Sequence, residues 1–404
     1  MSPIWETATV GACLVPVSTA GKPKIPTKDY KSAGSYPIVD QGQPRIAGWT
    51  DSLNAVIESP LPLIVFGDHS RTFKYVDEPF ARGADGTQLL RPVDEITPLF
   101  FFYACRAIDL PSRGYNRHFT LLKEKEISFP RDLAVQQSIA IVLQRAERAV
   151  ALQDELVEML EKTKSASMRQ LFTQGLHGER QKATEIGPVP ESWDVVTIDD
   201  VALKTQYGLS VRGNAQGQIP ILRMNCQDNG RVRFRDLQYV DLDETALSAF
   251  RLEDGDLLFN RTNSIEHVGR TAIFEGATEA VFASYLVRLT VDALRCLPRF
   301  LNYYMNRREV QHDIKRLASR AVGQANINAT KLRTVAFPLP PSLNEQAEII
   351  GVLDALDRKI DLHRRKREVF DQLFNSLLHK LITGEVSVDD LDLSALPPIE
   401  ESAA

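Results

Sequence analysis

Apolar residues recur at alternating steps of four and three along two long stretches of this chain, and the two stretches match. The later series is Ile349, Leu353, Leu356, Ile360, His363, Arg367, Phe370, Phe374, Leu377 and Leu381. The earlier series is Ile139, Leu143, Ala146, Val150, Gln153, Val157, Leu160, Lys164, Ser167 and Leu171. Such spacing is the seam of a coiled coil. Each series covers 33 residues, or about 50 Å of helix at 1.5 Å per residue. The repeat lies 210 positions apart: Gln136 returns as Gln346, Arg148 as Arg358, and Leu171-Phe172-Thr173 as Leu381-Ile382-Thr383. Both seams turn polar midway, where Gln153 stands in the register of His363. A polar seam position costs stability but fixes register. Helices this long need a cover for their apolar stripes, and the other copy is the simplest one.

Each helix follows a stretch of short β-rich runs, and each such stretch ends in a Phe-Pro pair, Phe129-Pro130 and Phe337-Pro338. Trp5 and Trp193 mark where the two stretches begin. The pattern predicts an α+β chain, with two pseudo-two-fold-related globular domains separated by two long antiparallel coiled-coil helices. The expected boundaries are a globule at 1–130, a central spacer helix at 131–180, a linker at 181–192, a second globule at 186–337, a C-terminal spacer helix at 338–384, and an acidic, disordered tail at 385–404. Gly175 and Gly384 are the expected helix stops.

Composition changes the picture in three ways. At 404 residues, 43% hydrophobic and 25% charged, the chain has material for two separate cores. After Gly384 there are six acidic residues and no Lys or Arg, so of the formal charge of −5 the stretch 1–384 carries +1. A near-neutral body excludes a protein that coats nucleic acid by charge alone. The four cysteines are far apart, which favours reduced thiols and a cytoplasmic location. No apolar run is long enough for a membrane span. Nor does the sequence hold a Gly-x-Gly-x-x-Gly loop, a phosphate loop, an Asn/Asp-Pro-Pro-Tyr motif or a histidine cluster with metal spacing. No catalytic or metal residue is therefore assigned.

The order of parts resembles the specificity (S) subunit of type I restriction–modification systems. The stretches that carry the resemblance are Phe337-Pro338-Leu339-Pro340-Pro341-Ser342-Leu343-Asn344-Glu345-Gln346, Leu381-Ile382-Thr383-Gly384 and Gly187-Pro188-Val189-Pro190-Glu191-Ser192-Trp193. The resemblance covers residues 1 to about 386 and is weakest in the first globule. It implies two target recognition domains, each contacting one half of a split double-stranded DNA site, with the helices as a ruler. It also implies two methyltransferase (M) subunits docked on the helices and restriction (R) subunits that join for cleavage. S-adenosylmethionine, ATP and Mg²⁺ would then belong to those partners, with no cofactor in this chain. Two rival readings are a stand-alone DNA-modifying enzyme and a coiled-coil protein scaffold.

If the globules read DNA, base contacts call for Arg, Asn or Gln, and phosphate contacts for cations and hydroxyls. The first globule offers His69, Ser70 and Arg71 after the strand ending at Phe66, then Arg113, Tyr115, Asn116, Arg117 and His118. The second offers Arg261, Thr262 and Asn263 after the strand ending at Phe259, then Arg320, Gln324, Asn326 and Asn328. Arg223 and Asn225 form a further pair. Asn and Gly in loops serve turn geometry at least as often as they serve ligands.

Overall fold

The structure is a computed structural model that describes residues 3–83, 86–111, 118–276, 278–321 and 323–398. It divides into two compact units, Met1–Glu155 with Arg364–Ala404, and Leu156–His363. Each unit holds one globule and about half of each long helix.

The long helices run Leu133–Gln174 and Leu343–Ile382. Local chemistry sets their ends. The Asp132 carboxylate accepts the Ala134 N–H at 2.8 Å, and the Ser342 hydroxyl accepts the Glu345 N–H at 3.2 Å, satisfying donors that a helix start leaves open. Gly175 and Gly384 stop the helices with φ of 65° and 74°, a region other residues enter at a cost. The Gly384 Cα lies so close to the Trp5 indole that a Cβ would sit 2.8 Å from the ring.

In each unit the two helix halves run in opposite directions. In the first unit, Gly384 lies against Trp5, whose strand pairs with the segment ending at Pro130, while Arg367 meets Asp154 at 3.2 Å. In the second, Gly175 lies beside Glu345, while Lys164 meets Asp357 at 2.6 Å. Ile139, Leu143, Phe374, Leu377 and Leu381 are buried in the first core with Phe100, Phe101 and Tyr103. Ile349 and Leu353 are buried in the second with Trp193, Phe300 and Tyr304. Ile360 is buried, and Leu356, His363 and Phe370 are half-buried.

The same device ties each helix to its globule. Gln136 is fully buried; its Oε1 accepts the Thr97 N–H at 2.7 Å, and its Nε2 donates to Glu95 O and Pro130 O at 2.9 and 2.8 Å. Gln346, also fully buried, accepts the Leu297 N–H at 2.7 Å and donates to Arg295 O at 3.0 Å. Further along each helix, Tyr103 donates to Glu147 at 2.9 Å, and Tyr303 sits between Asp354 and Asp357 at 2.6 and 2.7 Å. Asp357 occupies the repeat position of Glu147.

The globules repeat in topology. First and last strands pair antiparallel in both, Trp5–Thr9 with Glu126–Pro130 and Asp194–Thr197 with Ala336–Leu339. Each globule has a sheet around a buried strand, Leu63–Gly67 in one and Leu257–Asn260 in the other. Each also has a second sheet with one parallel pairing, Ile38↔Ala81 and Ile221↔Val281. The helices Pro98–Arg106 and Pro298–Met305 both begin on Pro, whose missing N–H is harmless in a first turn.

Three expectations need correction. The linker 181–192 contains a β-hairpin, Gln181–Thr184 paired with Gly187–Pro190, because Gly187 takes φ of 100° at the turn. The tail is ordered and packed as far as Pro398: Leu396 is buried, and Val388, Leu391 and Leu393 pack on the first core; residues 399–404 lie outside the described residues. The apolar Leu residues alternate with the acidic ones, so acidity alone misleads here. Lastly, the first seam slips. Val150, Gln153, Val157, Leu160 and Leu171 are only half-buried, and Met168 and Phe172 are the residues buried near the helix end. A straight helix drifts by about 20° per heptad against a seven-residue repeat. Four heptads from Ile139 that amounts to about 80°, close to one residue.

Candidate nucleic-acid interface

In the second globule the two candidate loops become one element. Thr262–Asn263, Gln324–Asn326 and Ser319–Ala321 form a three-stranded sheet, with Thr262 opposite Asn326 and Ser319 opposite Asn326 on its other side. Gly323, before the strand Gln324–Asn326, takes φ of 75°. The root of the sheet is dry: Ala325 and Ile327 are buried in the unit's core. Lys331 closes the foot by donating to Leu317 O at 2.8 Å and Ser319 Oγ at 3.0 Å. Two of the sheet's strands, Ser319–Ala321 and Gln324–Asn326, pair as a hairpin, and a two-stranded ribbon is of a size to enter a DNA major groove.

Most of the polar side chains here are occupied by the fold. Asn326 Nδ2 donates to Thr262 Oγ1 at 2.7 Å, and Asn263 Nδ2 reaches Met224 Sδ at 3.1 Å. Asn328 caps the helix Ala329–Arg333, accepting the Lys331 N–H at 2.8 Å. Thus Thr262, Asn263, Asn326 and Asn328 build the platform rather than project from it. Gln324 is exposed at the hairpin end. Arg320 lies on the outer strand; its side chain lies outside the described residues. Arg261 lays its guanidinium over the Tyr207 ring at 4.6 Å, and the Tyr207 hydroxyl accepts the Ala329 N–H at 3.0 Å. Tyr207, exposed beside this cation, has no sequence signal of its own, because no pattern separates it from any other strand tyrosine.

Arg223 and Asn225 both donate to Asp236 O, at 2.8 and 3.5 Å. They hold the turn that follows Arg231-Val232-Arg233-Phe234-Arg235. That alternation of arginines is a second feature the sequence analysis missed, although period two is a strand signal. Its members face carboxylates: Arg231 is 3.9 Å from Asp357, Arg233 is 3.3 Å from Asp361, and Arg235 is 3.8 Å from Asp228. A cleft of about 410 Å³ lies beside them, bordered by Lys164, Arg270, Arg299 and Lys315. Burial, then the two aspartates, pushes the Tyr303 phenol far above its ordinary value.

In the first globule the two loops are also joined, through Asp68. This carboxylate, almost fully buried, accepts the N–H groups of His118 and Phe119 at 2.6 and 2.7 Å, and His118 Nδ1 lies 2.8 Å from Asp68 O. His118 is 1% exposed. It is a clamp at the base of the loop, not a reader, because its ring is needed where the chain turns into the helix Phe119–Glu124. Arg71, at φ of 60°, donates to Leu110 O at 2.6 Å and so holds the loop's other end. Ser70 pairs with Thr72 at 2.7 Å, and the His69 N–H reaches Gln41 Oε1 at 3.4 Å. Arg113, Tyr115, Asn116 and Arg117 lie outside the described residues. Beside this loop is a cleft of about 910 Å³, bordered by the cations Arg45, Arg71, Lys74, Arg106 and Arg148 against Asp77 and Glu147. Most of these cations are already paired, Lys74 with Asp40, Arg106 with Glu147, Arg148 with Glu155 and Arg45 with Asp77.

Among the described residues no group of three or more His, Cys, Asp or Glu could hold a metal ion, and no helix is long and apolar enough to cross a membrane.

Comparison with known proteins adds the following. The family model described as "Type I restriction modification DNA specificity domain" matches residues 190–370. The putative type I restriction enzyme MjaX specificity subunit of Methanocaldococcus jannaschii is 33% identical over 211 residues, 52% of this chain and 49% of that protein, so the match spans about half the length of this relative. The EcoR124I/EcoR124II specificity subunit of Escherichia coli is 22% identical over 386 residues, 87% of this chain and 89% of that one. Among solved structures, the S subunit of a type I restriction–modification system from M. genitalium covers 94% of this chain and 96% of its own, with a TM-score of 0.62 at 14% identity. At that identity the likeness establishes the fold.

Proposed function

We propose that this chain, which belongs to the type I restriction–modification specificity-subunit family, is the non-catalytic subunit that chooses the DNA sequence for its complex. Each globule recognises one half of a bipartite double-stranded site. The long helices set the distance between the halves; half-sites one helical turn apart need readers about 34 Å apart. Two methyltransferase subunits dock on the helices, and restriction subunits join them in the cytoplasm. S-adenosylmethionine, ATP and Mg²⁺ act in those partners.

One observation carries the reading. The framework is duplicated down to single hydrogen bonds, Gln136 with Gln346 and Tyr103–Glu147 with Tyr303–Asp357, while the loops mounted on it differ. Common supports with different loops suit two readers for two different words.

The test is an exchange of the hairpin segment 319–328 for that of a relative, followed by sequencing of methylated sites in cells carrying the complex. One half of the motif should change and the other half stay. A change in both halves defeats the modular assignment. Turnover of DNA by the purified chain alone, with Mg²⁺ and S-adenosylmethionine, would instead favour an enzyme.

A further inference from the structure

The C-terminal segment breaks the duplication of the helices at one place. Arg145, on the first long helix, holds this segment by its main chain. Its Nε donates to Pro397 O at 2.9 Å, and its Nη2 donates to Leu393 O and Leu396 O at 3.0 and 2.8 Å. Pro398 then borders a groove with Gln137, Ala140, Ile141 and Gln144. At about 100° per residue, Val142, Arg145 and Ala149 share one stripe, turned away from the side on which Gln136 and Glu147 meet the globule. Val142 and Ala149 are 1% and 2% exposed.

The same stripe on the second helix is bare. The positions 210 residues later are Val352, Ala355 and Lys359. Val352 is 44% exposed, and Ala355 and Lys359 are exposed. Nothing in the second unit can copy the arrangement. Ala355 has no guanidinium to hold a segment, and the chain after Gly175 goes into the hairpin of Gln181–Thr184 and Gly187–Pro190. The cover is fastened without sheet or long helix. Among the described residues it forms no strand pairing; it turns at Val388–Asp390 and again at Leu393–Leu396, and it is held by buried Leu396, by Val388, Leu391 and Leu393 packed on the first core, and by the Arg145 bonds.

We propose that the segment Ser387–Pro398 is a detachable cover over one of two duplicated docking faces, so that methyltransferase subunits bind this chain unequally. The first takes the bare Val352 face. The second must displace the segment from the Val142 stripe, and its apparent affinity falls by the fraction of time the stripe is open. This inference rests on the proposed function, in which methyltransferase subunits dock on the helices.

The test is titration of the full chain with its cognate methyltransferase subunit, read by native mass spectrometry and calorimetry. Two binding steps are expected, the second at least about 10-fold weaker, the equivalent of about 1.4 kcal/mol. Truncation after Glu385 should bring the steps within about threefold of each other. Arg145→Ala, which leaves Leu396 in place, should fall between. In the full chain, amides of 391–396 should lose protection from hydrogen exchange at the second step only, a readout that needs no variant. Equal steps in the full chain, or unequal steps that neither variant alters, overturn the cover alone. If no methyltransferase subunit binds to any of the three proteins, the docking reading itself fails and the cover with it.

Discussion

The buried glutamines give the sharpest test of how the globules are held. Replacing Gln346 with Leu keeps the volume and removes both amide contacts. The Leu297 N–H and the Arg295 carbonyl are then left in a dry site, since Gln346 is fully buried. Each orphaned group costs about 1–3 kcal/mol. A carbonyl tolerates the loss better than an N–H. The expected cost is therefore about 2–4 kcal/mol, borne by the second unit. Gln136→Leu orphans three main-chain groups, Thr97 N, Glu95 O and Pro130 O, in the first unit. Its cost should be the larger, about 3–5 kcal/mol by the same reasoning. Native-state hydrogen exchange followed by mass spectrometry resolves the two units, because local openings report their own free energies. For Gln346→Leu, peptides from 295–305 and 336–353 should lose protection while those from 95–106 and 127–143 keep theirs; Gln136→Leu should do the reverse. An effect within about 0.5 kcal/mol of the wild type, as expected of an ordinary surface change, would refute the idea that these amides hold the helices to the globules. So would equal loosening of both units by either variant.

Two further expectations follow from individual side chains. Gln324→Ala should weaken DNA binding by about 1–3 kcal/mol and relax one base of one half-site, as loss of a bidentate base contact does. Asn328→Ala should instead cost about 1 kcal/mol of stability through the lost helix cap and leave the recognised motif unchanged, so a band-shift and melting series on both variants separates reader from support. Stability should also fall at alkaline pH. Burial, with a contribution from Asp77 for Tyr75, raises the phenols of Tyr75 and Tyr304 from 10.0 to about 12. A raised pKa means the folded state keeps its proton longer, so this stabilisation is whole below pH 10.0 and drains away as pH climbs towards about 12. A melting series across that window should show the decline, and Tyr304→Phe should make it shallower.

How much of this is legible in the sequence depends on what kind of signal each part leaves. The helices leave a strong one, because 33 residues of apolar spacing admit few alternatives. The repeat at 210 positions picks out Gln136 and Gln346 as a matched pair without any view of their bonds. The tail misleads because its charge is conspicuous and its leucines are not, although Leu391, Leu393 and Leu396 are the residues that pack. The slip at Phe172 is hidden by imposing a strict heptad on a straight helix.

The recognition loops are harder, for a physical reason. Amides and hydroxyls that suit a base edge suit a turn or a cap equally well, and the sequence does not say which partner arrives first. Asn326 and Asn328 lie two residues apart in a segment dense with amides, and both are consumed within the protein, one by Thr262 and one by the helix it caps. His118 looks like a reader beside Arg117 and is in fact pinned under Asp68. What remains outward among the described residues of this sheet is Gln324 at the hairpin end, with exposed Tyr207 nearby, whose hydroxyl still holds the Ala329 N–H while half-buried Arg261 reaches Ser284 O. In this hairpin, support and outward projection thus fall on separate residues. The supports can then stay while the readers vary, and the amides of 326 and 328 should persist in any relative that keeps this hairpin, whatever replaces Gln324.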